Sequence, residues 1–368
     1  MLKSIELKNF KVHKHTELEL RPITILTGIN GMGKSSLLQA LLLLRQSGTS
    51  MGYITGLNLK GELHNAGFAY EVLCQDAHGD TIEISVETEK GKTVFTFLMG
   101  NELDTYLFLL GHPISAENVG GALFSDDFQY ISAFRNGPQP TYLRDSLVVN
   151  QHRQISQKMG MCEYAVHFLF EYGKTYSVLP ELMFPGTEVA QLEDQVQAWM
   201  EAIAPGITIK IEPLGTDLKL NYRYRREGQT STRDISAMNT GFGITYMLPL
   251  LVALLSARPG SLIMIENPEA HIHPRAQAIF MELVAKCAKA GVQVILETHS
   301  DHIINGAMVA VHDGYPVENI AVYYIERAIK EHVAVVERLD VHQSGRILHA
   351  PAGFFDQIDI DLERIIGL

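Results

Sequence analysis

Gly28-Ile29-Asn30-Gly31-Met32-Gly33-Lys34-Ser35-Ser36 is a complete G-x-x-x-x-G-K-[ST] loop. The apolar run Ile23-Thr-Ile-Leu-Thr27 precedes it and Leu37-Leu-Gln-Ala-Leu-Leu-Leu-Leu44 follows, so the loop joins a buried strand to a long helix. That context names a ligand class, a nucleoside triphosphate. A phosphate chain needs converging backbone N–H groups, glycines that permit close approach, and a helix N-terminus whose dipole favours anions. Lys34 is expected to reach the β- and γ-phosphates as a point charge, and the Ser35 hydroxyl to ligate Mg²⁺.

Working outward, 368 residues are long for a single core and predict one large domain with an insertion, or two domains. Its richest apolar stretch, Tyr246 to Ala257, is too short to span a bilayer and holds Pro249, and the N-terminus lacks an apolar signal core. A cytoplasmic protein without membrane contact is expected. Cys74, Cys162 and Cys287 are far apart and odd in number, which suits a reducing compartment. A net charge of −12 opposes a broad nucleic-acid surface, since such binding requires Lys and Arg against phosphate. DNA contact would need a local patch. The candidate is Tyr222-Arg223-Tyr224-Arg225-Arg226, whose alternation also fits an ordinary half-buried strand.

The opening reads as strands at Leu2 to Lys8, Thr16 to Leu20 and the run that feeds the loop. Thr81 to Glu87 and Lys92 to Leu98 alternate around Gly91, a hairpin pattern. Residues 146–235 read as a helical and β insertion between an N-terminal lobe, 1–145, and a C-terminal lobe, 236–368. The C-terminal lobe is α/β. Leu262 to Ile265 and Val292 to Leu296 are buried strands, Pro274 to Ala290 is a helix with Pro in its first turn, and Ser300 caps another. Strands alternating with helices predict a largely parallel sheet with ligands at its carboxyl ends.

Two of those strands end in chemistry. The first ends Glu266-Asn267-Pro268-Glu269-Ala-His271-Ile-His273, and the second Glu297-Thr298-His299-Ser300. An acid ending an apolar strand is where a phosphate-loop protein holds its Mg²⁺-side carboxylate, which nominates Glu266. Asn239-Thr240-Gly241-Phe242-Gly243 opens a further helix and makes a second potential phosphate-binding N-terminus. His271 and His273 suggest zinc only weakly, because no third or fourth ligand lies nearby.

The order of these segments resembles the ATPase heads of the RecF, structural-maintenance (SMC) and overcoming-lysogenization-defect (OLD) classes. The boxes Leu41 to Ser47, Ile131 to Pro138, Gly241 to Pro249, Ile265 to Pro274 and Gly353 to Gln357 resemble, more narrowly, a bacterial family of AAA/ABC-like ATPases of unassigned function. The resemblance implies an ABC-type phosphate-loop head, with a mixed core sheet flanked by helices, an antiparallel β subdomain and a helical insertion. It implies that Gly28, Asn30, Gly31, Gly33, Lys34, Ser35 and Ser36 bind ATP, that Ser35 and Glu266 hold Mg²⁺, and that His299 senses the γ-phosphate. Asn239, Gly241 and Gly243 match the signature segment that caps the nucleotide of a second protomer, which implies an ATP-dependent homodimer.

Related cassettes read Asp-Glu where this chain reads Glu266-Asn267, and Asn cannot accept a proton at neutral pH. Loss of a general base typically costs about 10²- to 10⁴-fold in rate. Either Glu269 reaches back to act as the base, or hydrolysis is slow and the ATP-bound dimer persists. Proteins resembling this one are often inferred to serve defence against phage beside a nuclease or other effector. Alternatives are a RecF-type repair ATPase that touches DNA directly, a nuclease of the OLD type, and a small-molecule kinase. A nuclease domain is not expected after the last apolar strand, where the paired acids Asp359 and Asp361 fit a solvated terminal helix. A kinase would not require Gly241-Phe242-Gly243 or His299.

Overall fold

The strand that feeds the phosphate loop lies inside a six-stranded sheet, between neighbours drawn from the other end of the chain. In the computed structural model, which describes residues 1–226, 231–328, 332–351, 353–355 and 357–366, the strand order is Phe128–Ile131, Leu262–Glu266, Gln293–Glu297, Ile23–Gly28, Ile320–Ala328, Val333–Arg338. The first five pair in parallel and the last returns antiparallel. All the parallel strands therefore end at one edge, where the loop leaves Gly28.

Period-two alternation divides this sheet between two cores. Ile23, Ile25, Ile263, Ile265, Val294 and Leu296 face one side, where helices Phe242–Leu255, Pro274–Lys289 and Asp301–His312 pack. Leu26, Met264, Ile295 and Ile325 face the other, beneath helix Lys34–Gln46 and a six-stranded antiparallel sheet. Helix Lys34–Gln46 is buried on nearly all sides because it lies between two sheets, which accounts for its run of leucines. Each such leucine contributes about 1.5–3 kcal/mol on burial. Helix Phe242–Leu255 is likewise buried and keeps Pro249 inside. Among the described residues no helix is long and apolar enough to cross a membrane.

The expected hairpin forms as Thr81–Thr88 against Gly91–Leu98, with Gly91 in the left-handed region at φ 109°. The 146–235 stretch supplies helices Ala165–Tyr172 and Leu192–Ile203 and the hairpin Ile207–Leu214 with Asp217–Tyr224. Among the described residues it shares one core with the parallel sheet: Phe168, Trp199 and Tyr222 pack in the same cluster as Leu250 and Phe280. The basic stretch follows the strand alternation. Tyr222 is buried, Arg223 pairs with Asp234, and Arg225 meets Glu201 at 3.0 Å, so these two cations are already neutralised. Asp361 lies on the terminal helix Gln357–Ile366, whereas the side chain of Asp359, Asp356 of the last box, and residues 227–230 after the basic stretch fall outside the described residues. Cys74, Cys162 and Cys287 are free and buried.

Candidate functional site

The loop takes its shape from its glycines. Gly28, Gly31 and Gly33 have φ of 134°, 76° and 102°, values that L side chains rarely adopt. At Gly28 any Cβ would lie 2.1 Å from the Ile325 carbonyl oxygen. Gly33 is the N-cap of helix Lys34–Gln46, so the first free N–H groups of that helix open beside the loop. From the antiparallel sheet, buried His13 braces this end: its Nε2 lies 3.0 Å from the Gly33 carbonyl and its Nδ1 3.0 Å from the Thr16 hydroxyl. The carbonyl can only accept, so Nε2 carries the proton and Nδ1 accepts from Thr16. Burial lowers the His13 pKa to about 4, which keeps the ring neutral. Lys34 is 3% exposed and donates across the loop to the Ile29 carbonyl at 2.7 Å.

Two carboxylates end neighbouring strands in register, Glu266 opposite Glu297. Glu266 accepts from the Tyr130 hydroxyl at 3.0 Å and from the Ala133 N–H at 3.4 Å. Glu297 accepts from the Ser35 hydroxyl at 2.7 Å. Burial pushes both pKa values upward, and at Glu297 the Glu266 charge adds to the rise while Lys34 opposes it. Asn267, at φ 44°, donates its N–H to the Glu297 carbonyl at 2.8 Å. Its turn is held by buried Arg135, whose guanidinium donates to the carbonyls of Glu266, Asn267 and Pro268 and to that of Tyr246 on the helix after Gly241. One cation thus ties the acid-strand turn to helix Phe242–Leu255.

Glu269 is occupied elsewhere. One oxygen accepts from the Thr298 hydroxyl at 2.8 Å and the other from the His299 N–H at 2.7 Å. The sequence offered Glu269 as a base, with slow hydrolysis the alternative; here its carboxylate holds the backbone that presents His299. Burial and Lys34 lower the His299 pKa, against Glu269 and a hydrogen bond to the Gly28 backbone.

A cavity of about 860 Å³ opens at this edge, and Lys34, Ser35, Glu266, Asn267, Glu297 and His299 all line it. Asn30, Gly31, Gly33 and Ser36 line it too, whereas Gly28, Glu269, Asn239, Gly241 and Gly243 do not. Asn239 and Gly241 are exposed. Around Gly241 nothing stands within 4 Å of where a Cβ would go, but at Gly243 a Cβ would meet the His271 carbonyl at 2.3 Å. Gly243 therefore has a local packing reason to be glycine. His271 packs its ring on Tyr246, and His273 accepts from the Arg275 N–H as the cap of helix Pro274–Lys289. Among the described residues no group of three or more His, Cys, Asp or Glu could cage a metal.

Hard oxygen donors beside a phosphate loop, without an all-protein cage, suit Mg²⁺ carried with nucleotide phosphates. Sequence reasoning missed His13 and Tyr130, which carry no motif signal, and gave no role to Arg135, although it lies in the Ile131 to Pro138 box. It quoted Glu297 without giving it a role, although an acid at the end of an apolar strand was the signal used for Glu266.

Fold and site together define an ATPase head of the AAA/ABC-like class. Residues 23–305 match the family described as "AAA domain, putative AbiEii toxin, Type IV TA system", and the chain belongs to it. Residues 316–365 match a family described as a protein of unknown function, DUF3696. The Old nuclease of Escherichia phage P2 is 21% identical over 345 residues, covering 83% of this chain. This chain spans 57% of that relative's length. An SMC head bound to the C-terminal winged-helix domain of ScpA superposes with a TM-score of 0.56 at 14% identity, covering 93% of this chain and 98% of the other. An SMC head with an extended coiled coil, bound to the C-terminal domain of ScpA derived from Pyrococcus furiosus, gives 0.54 at 12% identity and covers 99% of each. The fold is therefore that of an SMC-type ATPase head.

Proposed function

We propose that the protein is an ATP-driven switch that dimerises around nucleotide, hydrolyses it slowly and reports its state to an effector protein. One observation carries the reading: Lys34, Ser35, Glu266, Asn267, Glu297 and His299 converge on one cavity, while Asn239 and Gly241 stand exposed outside it. A second copy's signature segment is the natural complement of that cavity. In this reading Lys34 exchanges the Ile29 carbonyl for phosphate oxygens, and the N–H groups after Gly33 cradle the chain. Ser35 and Glu266 supply hard oxygens to magnesium, whose charge offsets that of the phosphates. Asn267 orients the attacking water without taking its proton, and His299 donates toward the γ-phosphate, held in place by Glu269.

An asparagine at position 267, which cannot accept a proton at neutral pH, favours a long-lived ATP state, which is what a switch requires. Likeness to a phage nuclease and to heads bound by partner proteins supports an effector-linked role, with antiviral defence the setting proposed. The test is sedimentation with a non-hydrolysable ATP analogue, ADP or no nucleotide. A dimer formed with the analogue alone supports the reading, and an oligomeric state indifferent to nucleotide refutes it.

A further inference from the structure

A phosphate-loop serine hydroxyl needs a carboxylate to take its proton side while its lone pair faces a cation. Glu266, at the end of its apolar strand, is the acid that sequence order nominates. Yet Ser35 donates to Glu297 at 2.7 Å, whereas the contacts of Glu266 run to Tyr130 and Ala133. Strand order is the cause, because Gln293–Glu297 lies directly against Ile23–Gly28 and Leu262–Glu266 is one strand further out.

The Glu297 side chain is also incompletely satisfied. It is 4% exposed, it lines the cavity, and its Oε2 is buried with no hydrogen-bond partner. An unpartnered carboxylate oxygen costs free energy that native proteins seldom leave uncompensated. In its ionised form it cannot pair with a phosphate chain, since both are then anions. A hard cation between them can.

We propose that Glu297 is the principal magnesium-side carboxylate of this site, acting through the Ser35 hydroxyl and its own free oxygen, with Glu266 as the outer member of the pair. The inference rests on the ATP-binding reading above and gives a role to the acid preceding Thr298-His299.

The experiment measures ATP affinity calorimetrically, with saturating Mg²⁺ and with EDTA, for the wild type, Glu297→Gln, Glu297→Asp and Glu266→Gln. The wild type should bind ATP more tightly with Mg²⁺. Glu297→Gln should lose about 10- to 100-fold of that gain, the range found when groups supporting a metal ligand are removed. Its EDTA affinity should hold or improve, because an anion facing the phosphates is gone, and a merely damaged fold would not give that opposite movement. Glu266→Gln should lose less. A Mg²⁺ gain in Glu297→Gln within about twofold of wild type, against the 10- to 100-fold expectation, overturns the assignment. If the glutamine variant does not fold, Glu297→Asp decides: withdrawing the charge by one methylene must weaken the Mg²⁺ gain, and an unchanged gain overturns it. A wild type that binds no ATP under either condition refutes the ATP-binding reading itself, an outcome distinct from wild-type binding with an intact Mg²⁺ gain in the variants.

Discussion

The phosphate loop and the signature segment look alike in sequence, each a glycine pair opening a helix, yet the fold treats them oppositely. Around Gly28 to Ser35 every supporting group is in place: Ile325 forbids a Cβ at Gly28, His13 braces Gly33, and Glu297 holds Ser35. Around Asn239 to Gly241 the surface is open and Gly241 touches nothing that a side chain would meet. A helix N-terminus is a site only when other elements close over it. The first has its own sheet edge to do this, and in the proposed dimer the second is closed by another copy.

The largest effect expected lies in turnover, where the closed region can be broken from within. If Glu269 acts through His299, Glu269→Gln and His299→Ala should each slow hydrolysis about 10²-fold with ATP affinity nearly unchanged, and the double variant should fall no further. Additive losses in single-turnover ATP cleavage would return Glu269 to the role of base. Lys34→Ala should weaken ATP binding by roughly 10- to 100-fold, the equivalent of charge-assisted bonds of about 1.5–3 kcal/mol, with little change in melting temperature. Unchanged affinity in calorimetry would remove the loop from the site.

Gly241→Asp sharpens the comparison from the open side. The monomer has space for the new side chain, so fold and monomer ATP affinity should hold while the ATP-induced dimer weakens by about tenfold or more through repulsion from phosphate. Sedimentation velocity reads this, and a dimer of unchanged strength would exclude the signature from the interface. Gly243 is a poor probe, since substitution there strikes the His271 backbone.

The smallest effect is on stability. The folded pKa of His13 lies near 4, below the ordinary histidine value, so the unfolded chain takes up the proton first as pH falls. Its contribution is complete above the unfolded pKa and is lost as pH falls from there toward the folded value. The loss should reach about 1 kcal/mol between about pH 7 and pH 5.5. Urea unfolding of wild type and His13→Gln at both pH values checks it. An equal pH slope in the two proteins would show that the brace beneath Gly33 does not titrate.

What the sequence determined by itself was local. Positive-φ glycines, alternating strands, the Ser300 and Pro274 helix starts, and the acid and histidine that end two apolar runs are properties of a few covalent neighbours. They were enough to read the phosphate loop, the parallel sheet and the residues lining one edge. The tertiary structure alone decided what each acid does. Ser35 and Glu297 are 262 residues apart, and only the insertion of Gln293–Glu297 beside Ile23–Gly28 brings them together. The same holds for Glu269, spent on Thr298 and His299, and for Arg135, which gathers carbonyls from the acid-strand turn and the signature helix. A carboxylate's role is set by the donor or cation that meets it, and strand order, which fixes those meetings, is not written in chain order.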